Sequence, residues 1–162
     1  MKRRVAVIGV LIAATVGLGV LRYGVFGHVG PGRTNPPVAT SESLEANAQL
    51  TAEVRGIVDR ACRDCHTNQT EWPWYSHVPP AGWLVIDHVN HGRSHLNFSR
   101  WATYPPAERQ RLLEDVCTLA SEGEMPVPSY LWMHEEARLS ADDVTALCAW
   151  ASAEGKRVTA RR

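Results

Sequence analysis

Cys62-Arg63-Asp64-Cys65-His66 constrains this chain more than any other stretch: two cysteines two residues apart, with a histidine directly behind the second. The order has a chemical reason. Thiols at that spacing match the two vinyl groups on one edge of a porphyrin, and the adjacent imidazole is carried under the ring, where its Nε2 can bind iron. The motif is the attachment signature of a single covalent haem c. A chain that wraps a rigid macrocycle can fold with long loops that would otherwise find no core.

The start of the chain sets the compartment. Lys2, Arg3 and Arg4 precede an uncharged run from Val5 to Leu21. A cleaved secretory signal has a shorter apolar core of about 7–15 residues and a small-x-small cleavage site. Here the run is longer and ends in Gly19-Val20-Leu21-Arg22-Tyr23, without such a site. Arg22 can snorkel to the interface, so Val25 and Phe26 extend the stretch towards the ~20 residues that a bilayer needs. Residues 1–26 therefore read as an uncleaved signal-anchor, one transmembrane helix with its basic end in the cytoplasm. The remainder is expected to face the periplasm or cell exterior from the cytoplasmic membrane. Export agrees with the motif, because outside the cytosol a free Cys-x-x-Cys tends to oxidise or be modified. With 17 basic and 17 acidic side chains, no charge excess argues for a nucleic-acid partner.

Residues 27–47 are rich in Gly, Pro, Thr, Ser and Asn and read as a flexible linker. Residues 48–155 form the expected folded domain, and 156–162 a basic tail. Three helices are legible in that domain. Gln49 to Ala61 carries Leu50, Val54, Ile57 and Val58 at helical spacing and runs into the cysteines. Pro106 to about Ser121 starts with Pro in a first turn and has Gly123 just past its end. Ser140 to Ala153 opens on Ser140-Ala141-Asp142-Asp143, an acidic variant of the capping box. A short helix is expected around Trp83 to Val89, and no strand pattern of useful length is present. The fold class is all-α, a cytochrome c-like helical domain with long loops around its haem.

Candidate site residues follow from what a haem needs. All six tryptophans come after the cysteine pair, and Trp72 and Trp74 are candidate haem contacts; ordinary core packing is the alternative for each. Met125-Pro126, in the loop after the second long helix, offers a thioether as distal iron ligand opposite His66, against the plainer role of a surface methionine. His88, His91 and His95 share one helical face and are the alternative distal ligands. Arg93 suits a haem propionate. Cys117 and Cys148 are left over, and in an oxidising compartment two such thiols most simply form a disulfide. A four-cysteine zinc site would leave His66 without a purpose.

Longer stretches carry a resemblance. Cys62 through Ser76, with its Thr-Asn-Gln-Thr-Glu-Trp-Pro-Trp-Tyr run, then His88-Val-Asn-His-Gly-Arg93, Leu96-Asn-Phe-Ser-Arg-Trp101, Gly123-Glu-Met-Pro-Val-Pro-Ser-Tyr130 and Leu147-Cys-Ala-Trp150, resemble the small bacterial haem-binding domain family. That family is similar to monohaem c-type cytochromes. The resemblance covers roughly residues 50 to 153. It implies covalent haem on Cys62 and Cys65, His66 as proximal ligand and Met125 as distal ligand. The expected function is one-electron transfer between redox partner proteins, without catalysis. A haem-based sensor or ligand-binding module, with His88, His91 or His95 lining a distal pocket, is the alternative; a peroxidase-like enzyme has less to support it.

Overall fold

The computed structural model describes residues 12–15, 17 and 32–160. Most of the expected signal-anchor, and residues 27–31 of the linker, lie outside the described residues. Residues 12–15 and 17 are helical, and among the described residues no helix is long and apolar enough to cross a membrane.

From residue 32 to 160 the chain forms seven α-helices and no strand: α1 Leu44–Asn47, α2 Ala52–Ala61, α3 Arg63–His66, α4 Ala81–His95, α5 Pro106–Ser121, α6 Pro128–Leu131 and α7 Ala141–Ala160. Four 3-10 turns punctuate them, at Thr40–Glu42, Trp74–His77, Phe98–Thr103 and Glu135–Ala137. Two compact units are formed. Asn35–Glu71 with His91–Arg162 make the larger, and Met1–Thr34 with Trp72–Asn90 the smaller.

In the smaller unit, Gly82 packs so tightly that a Cβ there would lie 2.4 Å from the Ser76 carbonyl oxygen. Arg33 donates from Nη1 to that same oxygen at 2.7 Å. Trp74 meets Tyr75 edge-on at 5.8 Å.

In the larger unit, α5 and α7 make the most extensive helix pair, and α2 packs on α7. Leu112 and Leu113 of α5, Leu147, Trp150 and Ala151 of α7, Val54, Ile57 and Val58 of α2, and Leu96, Phe98 and Trp101 form one buried cluster. Each large aliphatic side chain so buried stabilises the fold by about 1.5–3 kcal/mol over leaving it in water. The Cys117–Cys148 disulfide joins α5 to α7 inside this unit.

Helix ends follow local chemistry. Thr51 accepts from the Val54 amide at 3.1 Å and starts α2, so that helix begins later than its apolar periodicity suggests. At the head of α7 the capping box is reciprocal: Ser140 Oγ accepts from the Asp143 amide at 3.1 Å, and Asp143 Oδ2 accepts from the Ser140 amide at 2.8 Å. Gly123 closes α5 with φ at +72°, the left-handed geometry that lets the Glu124 amide return to the Leu119 carbonyl at 3.0 Å.

Three boundaries differ from the sequence reading. The linker orders before residue 47, because Ser43 caps α1 and Leu44 is 0% exposed in the core. The last helix runs on to Ala160, so 156–160 are helix and not tail. Val158 is buried there, and Arg157 pairs with buried Glu154 while donating to the Asn47 carbonyl. The Gln49 amide also donates to Glu154, and the Trp150 indole N–H to the Gln49 carbonyl at 3.0 Å, so residues 47–49 are clamped to α7. Finally, the helix expected at Trp83 to Val89 spans Ala81–His95, taking in all three clustered histidines.

Candidate functional site

The motif sits where α2 ends. Cys62 is the C-cap of α2, and Arg63–His66 form the single turn α3. Both thiols are free and half-buried. Burial, then the neighbouring Cys65, pushes the Cys62 thiol up to about 12; burial, then Asp64, pushes Cys65 up to about 11. These are uncharged thiols at neutral pH. A redox dithiol or a reactive nucleophile needs the reverse, an electropositive surrounding that favours thiolate.

His66 has a defined tautomer. Its Nδ1 lies 3.0 Å from the Leu96 carbonyl oxygen, which can only accept, so Nδ1 carries the proton and Nε2 is left as the basic nitrogen. Desolvation lowers the His66 pKa, against the opposing pull of the carbonyls of Leu96 and Gly92, which keeps the ring neutral. A backbone acceptor behind a ligating imidazole is the arrangement that orients it and raises its basicity. Phe98 flanks the ring at 6.2 Å.

The close approach of α4 makes this possible. At Gly92 a Cβ would lie 2.5 Å from the Cys65 carbonyl oxygen, so only glycine lets the last turn of α4 meet the motif. That contact sets the Leu96 carbonyl, just past the helix, against His66.

A buried polar network holds the loop that follows. Arg93 donates from Nε to the Thr67 carbonyl at 2.7 Å and from Nη2 to Thr70 Oγ1 and Asn35 Oδ1. Thr70 Oγ1 donates to the Asp64 carbonyl at 2.6 Å. Asn68 receives Asn97 Nδ2 at 2.8 Å, and its own amide donates to Ser99 Oγ at 2.9 Å. Thr67, Asn68, Thr70, Asn97 and Ser99 are each 5% exposed or less, and such groups are tolerated only when paired. Arg93, expected at a propionate, thus grips the backbone and side chains of this loop.

Asp64 is the second anchor. Its Oδ1 accepts from the Glu71 amide at 3.1 Å, and its Oδ2 from the Tyr130 hydroxyl at 3.0 Å. Burial and the Asp64 charge raise the Tyr130 pKa, so the phenol stays a donor. Tyr130 also stacks on His134 with ring centres 4.1 Å apart. The chain just beyond Met125 is therefore tied to the turn that carries the thiols. Met125 itself is 36% exposed, with its amide donating to the Leu119 carbonyl at 3.1 Å.

The other candidates are placed as follows. Trp72 and Trp74 belong to the smaller unit, where Trp72 is half-buried and Trp74 is 73% exposed. His88 falls in that unit too, whereas His91 and His95 belong to the larger one. Cys117 and Cys148 are spent on each other, which removes the four-cysteine zinc reading, and among the described residues no group of three or more His, Cys, Asp or Glu could hold a metal ion. A cleft of about 370 Å³ between α5 and α7 is lined by Gln110, Cys117, Cys148 and Lys156 among others, and by none of the motif residues. Asp64, Asn68, Asn97, Ser99 and Tyr130 were not singled out from sequence. Asn97-Phe98-Ser99 carried a local signal, since the Asn97 side chain accepts from the Ser99 amide.

The donor set fits a haem: two uncharged, half-buried thiols that can become uncharged thioethers, followed by a neutral imidazole with Nε2 as its basic nitrogen. Fold and site together define an all-helical domain organised round a Cys-x-x-Cys-His turn. The family model "Haem-binding domain" matches residues 22–153, and the chain belongs to that family. Its cofactor is accordingly haem. No curated protein and no solved structure matches the chain.

Proposed function

We propose that this protein is a membrane-anchored, exported monohaem c-type protein, cytochrome c-like in fold, that passes single electrons between redox partners and performs no catalysis. The observation that carries the reading is His66, held neutral with Nδ1–H on the Leu96 carbonyl, immediately after two uncharged thiols. Bound haem supplies the one-electron couple. Cys62 and Cys65 hold the macrocycle by thioether bonds, and His66 Nε2 is the proximal ligand. Met125 is the distal ligand, in a segment secured through Tyr130 and Asp64. Residues 1–26 anchor the domain at the cytoplasmic membrane, facing the periplasm or cell exterior, and so raise its effective concentration near membrane-bound partners.

The test is spectroscopic. The chain coexpressed with haem-attachment machinery should keep its haem through acid-acetone extraction and be low-spin in both redox states. Haem lost on extraction would sink covalent attachment. A high-spin ferrous form that binds CO would favour the sensor reading. Met125→Ala should lower the potential and give a high-spin or histidine-substituted species; an unchanged spectrum would remove Met125 from the iron.

A further inference from the structure

The last turn of α4 carries two imidazoles that the haem reading leaves unused. His91 and His95 stand one helical turn apart, both exposed, with ring centres 5.3 Å apart and planes 32° from parallel. Two imidazoles sharing one tetrahedral ion at metal–nitrogen distances of about 2.0–2.1 Å have ring centres about 5 Å apart, so the pair already stands at chelating separation. The i, i+4 relation on a regular helix keeps both rings on one face. Nitrogen donors of this kind select borderline transition ions over Mg²⁺ or Ca²⁺. The nearby cation does not compete for the space, because Arg93 points its guanidinium to Thr67, Thr70 and Asn35.

We propose that His91 and His95 form a two-histidine surface site for a divalent transition ion, Zn²⁺, Ni²⁺ or Cu²⁺, with water completing the coordination. Its placement gives the site a consequence. His95 precedes Leu96, whose carbonyl orients His66, and Gly92, inside the chelating turn, abuts Cys65. An ion there adds positive charge beside the iron-ligating imidazole and stiffens the turn that sets its tautomer.

The test uses the untagged, haem-loaded full chain, titrated calorimetrically with Zn²⁺, Ni²⁺ and Cu²⁺ salts, and with Mg²⁺ as a control. One transition ion should bind per chain and Mg²⁺ should not. His91→Ala and His95→Ala should each weaken binding by more than the ~10–100-fold typical of losing an outer partner of a metal ligand. Both side chains are exposed, so neither variant should change the thermal midpoint in metal-free buffer. Bound Cu²⁺ should show two equivalent nitrogens in its electron paramagnetic resonance spectrum. Undiminished binding in either variant would overturn the proposal, as would no binding of any of the three ions. Neither result bears on haem extraction or on the Met125 spectrum, so this failure and failure of the haem reading are separable.

Discussion

Gly92→Ala isolates the contact on which the Cys-x-x-Cys-His turn depends. The added methyl would lie 2.5 Å from the Cys65 carbonyl oxygen, 3.1 Å from its carbonyl carbon and 3.0 Å from its Cβ. None of these is the far end of a flexible side chain, so α4 or the turn itself must move. Overpacking of this kind costs about 1–3 kcal/mol. Helix propensity pulls the other way, since alanine is favoured over glycine in a helix interior by about 1 kcal/mol. The steric cost wins, and the net expectation is destabilisation by about 1–2 kcal/mol. Gly56→Ala is the control. Gly56 is exposed within α2, nothing lies within 4 Å of its added Cβ, and only the propensity gain applies, about 0.5–1 kcal/mol of stabilisation. Urea denaturation of the full chain in mild detergent should move the midpoint down by about 0.5–1 M for Gly92→Ala and up for Gly56→Ala, with unchanged slopes. The yield of haem-loaded protein should fall for Gly92→Ala alone. If both variants shifted upward together, the close approach of α4 to Cys65 would be refuted.

Three further outcomes follow from the same geometry. Tyr130→Phe removes the donor to Asp64 Oδ2, and a hydrogen bond to a charged group is worth about 1.5–3 kcal/mol, so the variant should lose about that much stability in urea. Cys117→Ser with Cys148→Ser opens a link between residues 31 apart, which loop-closure entropy values at about 3–4 kcal/mol; a calorimetric midpoint unchanged from the parent would rule out the bond between α5 and α7. Asp143 is held at about 2, below its ordinary 3.8, first by its hydrogen bond from Arg60 and then by the Ser140 amide. Its contribution is complete above the unfolded value and is lost as pH falls through 3.8 towards 2, so Asp143→Asn should flatten acid unfolding in that window and leave the slope near neutrality alone.

Much of the fold was legible because its signals are local. Apolar residues at helical spacing placed α2, α5 and α7, the Ser140–Asp143 pair marked one helix start, and Gly123 marked one helix end. The misplaced boundaries arose where a distant partner overrides local composition. Residues 40–47 read as tether until Leu44 meets the core, and 156–160 read as tail until Glu154 and Arg157 grip Asn47 and Gln49. The site divides in the same way. Cys62, Cys65 and His66 stand out as candidates by their spacing together with the stretches around them, whereas Arg93, Asn97 and Tyr130 act across sequence gaps that no short pattern spans.

The order of residues by itself pointed to an all-helical class, to the haem-binding family and to a candidate Cys-x-x-Cys-His turn, because helical periodicity and the spacing of two thiols before an imidazole are written in the chain. Only the folded chain decided which nitrogen of His66 keeps its proton and which helix leans on Cys65. Those depend on a carbonyl at residue 96 and a missing Cβ at residue 92. Each is a contact between segments far apart in the chain, and such contacts exist only after the backbone has closed around its core.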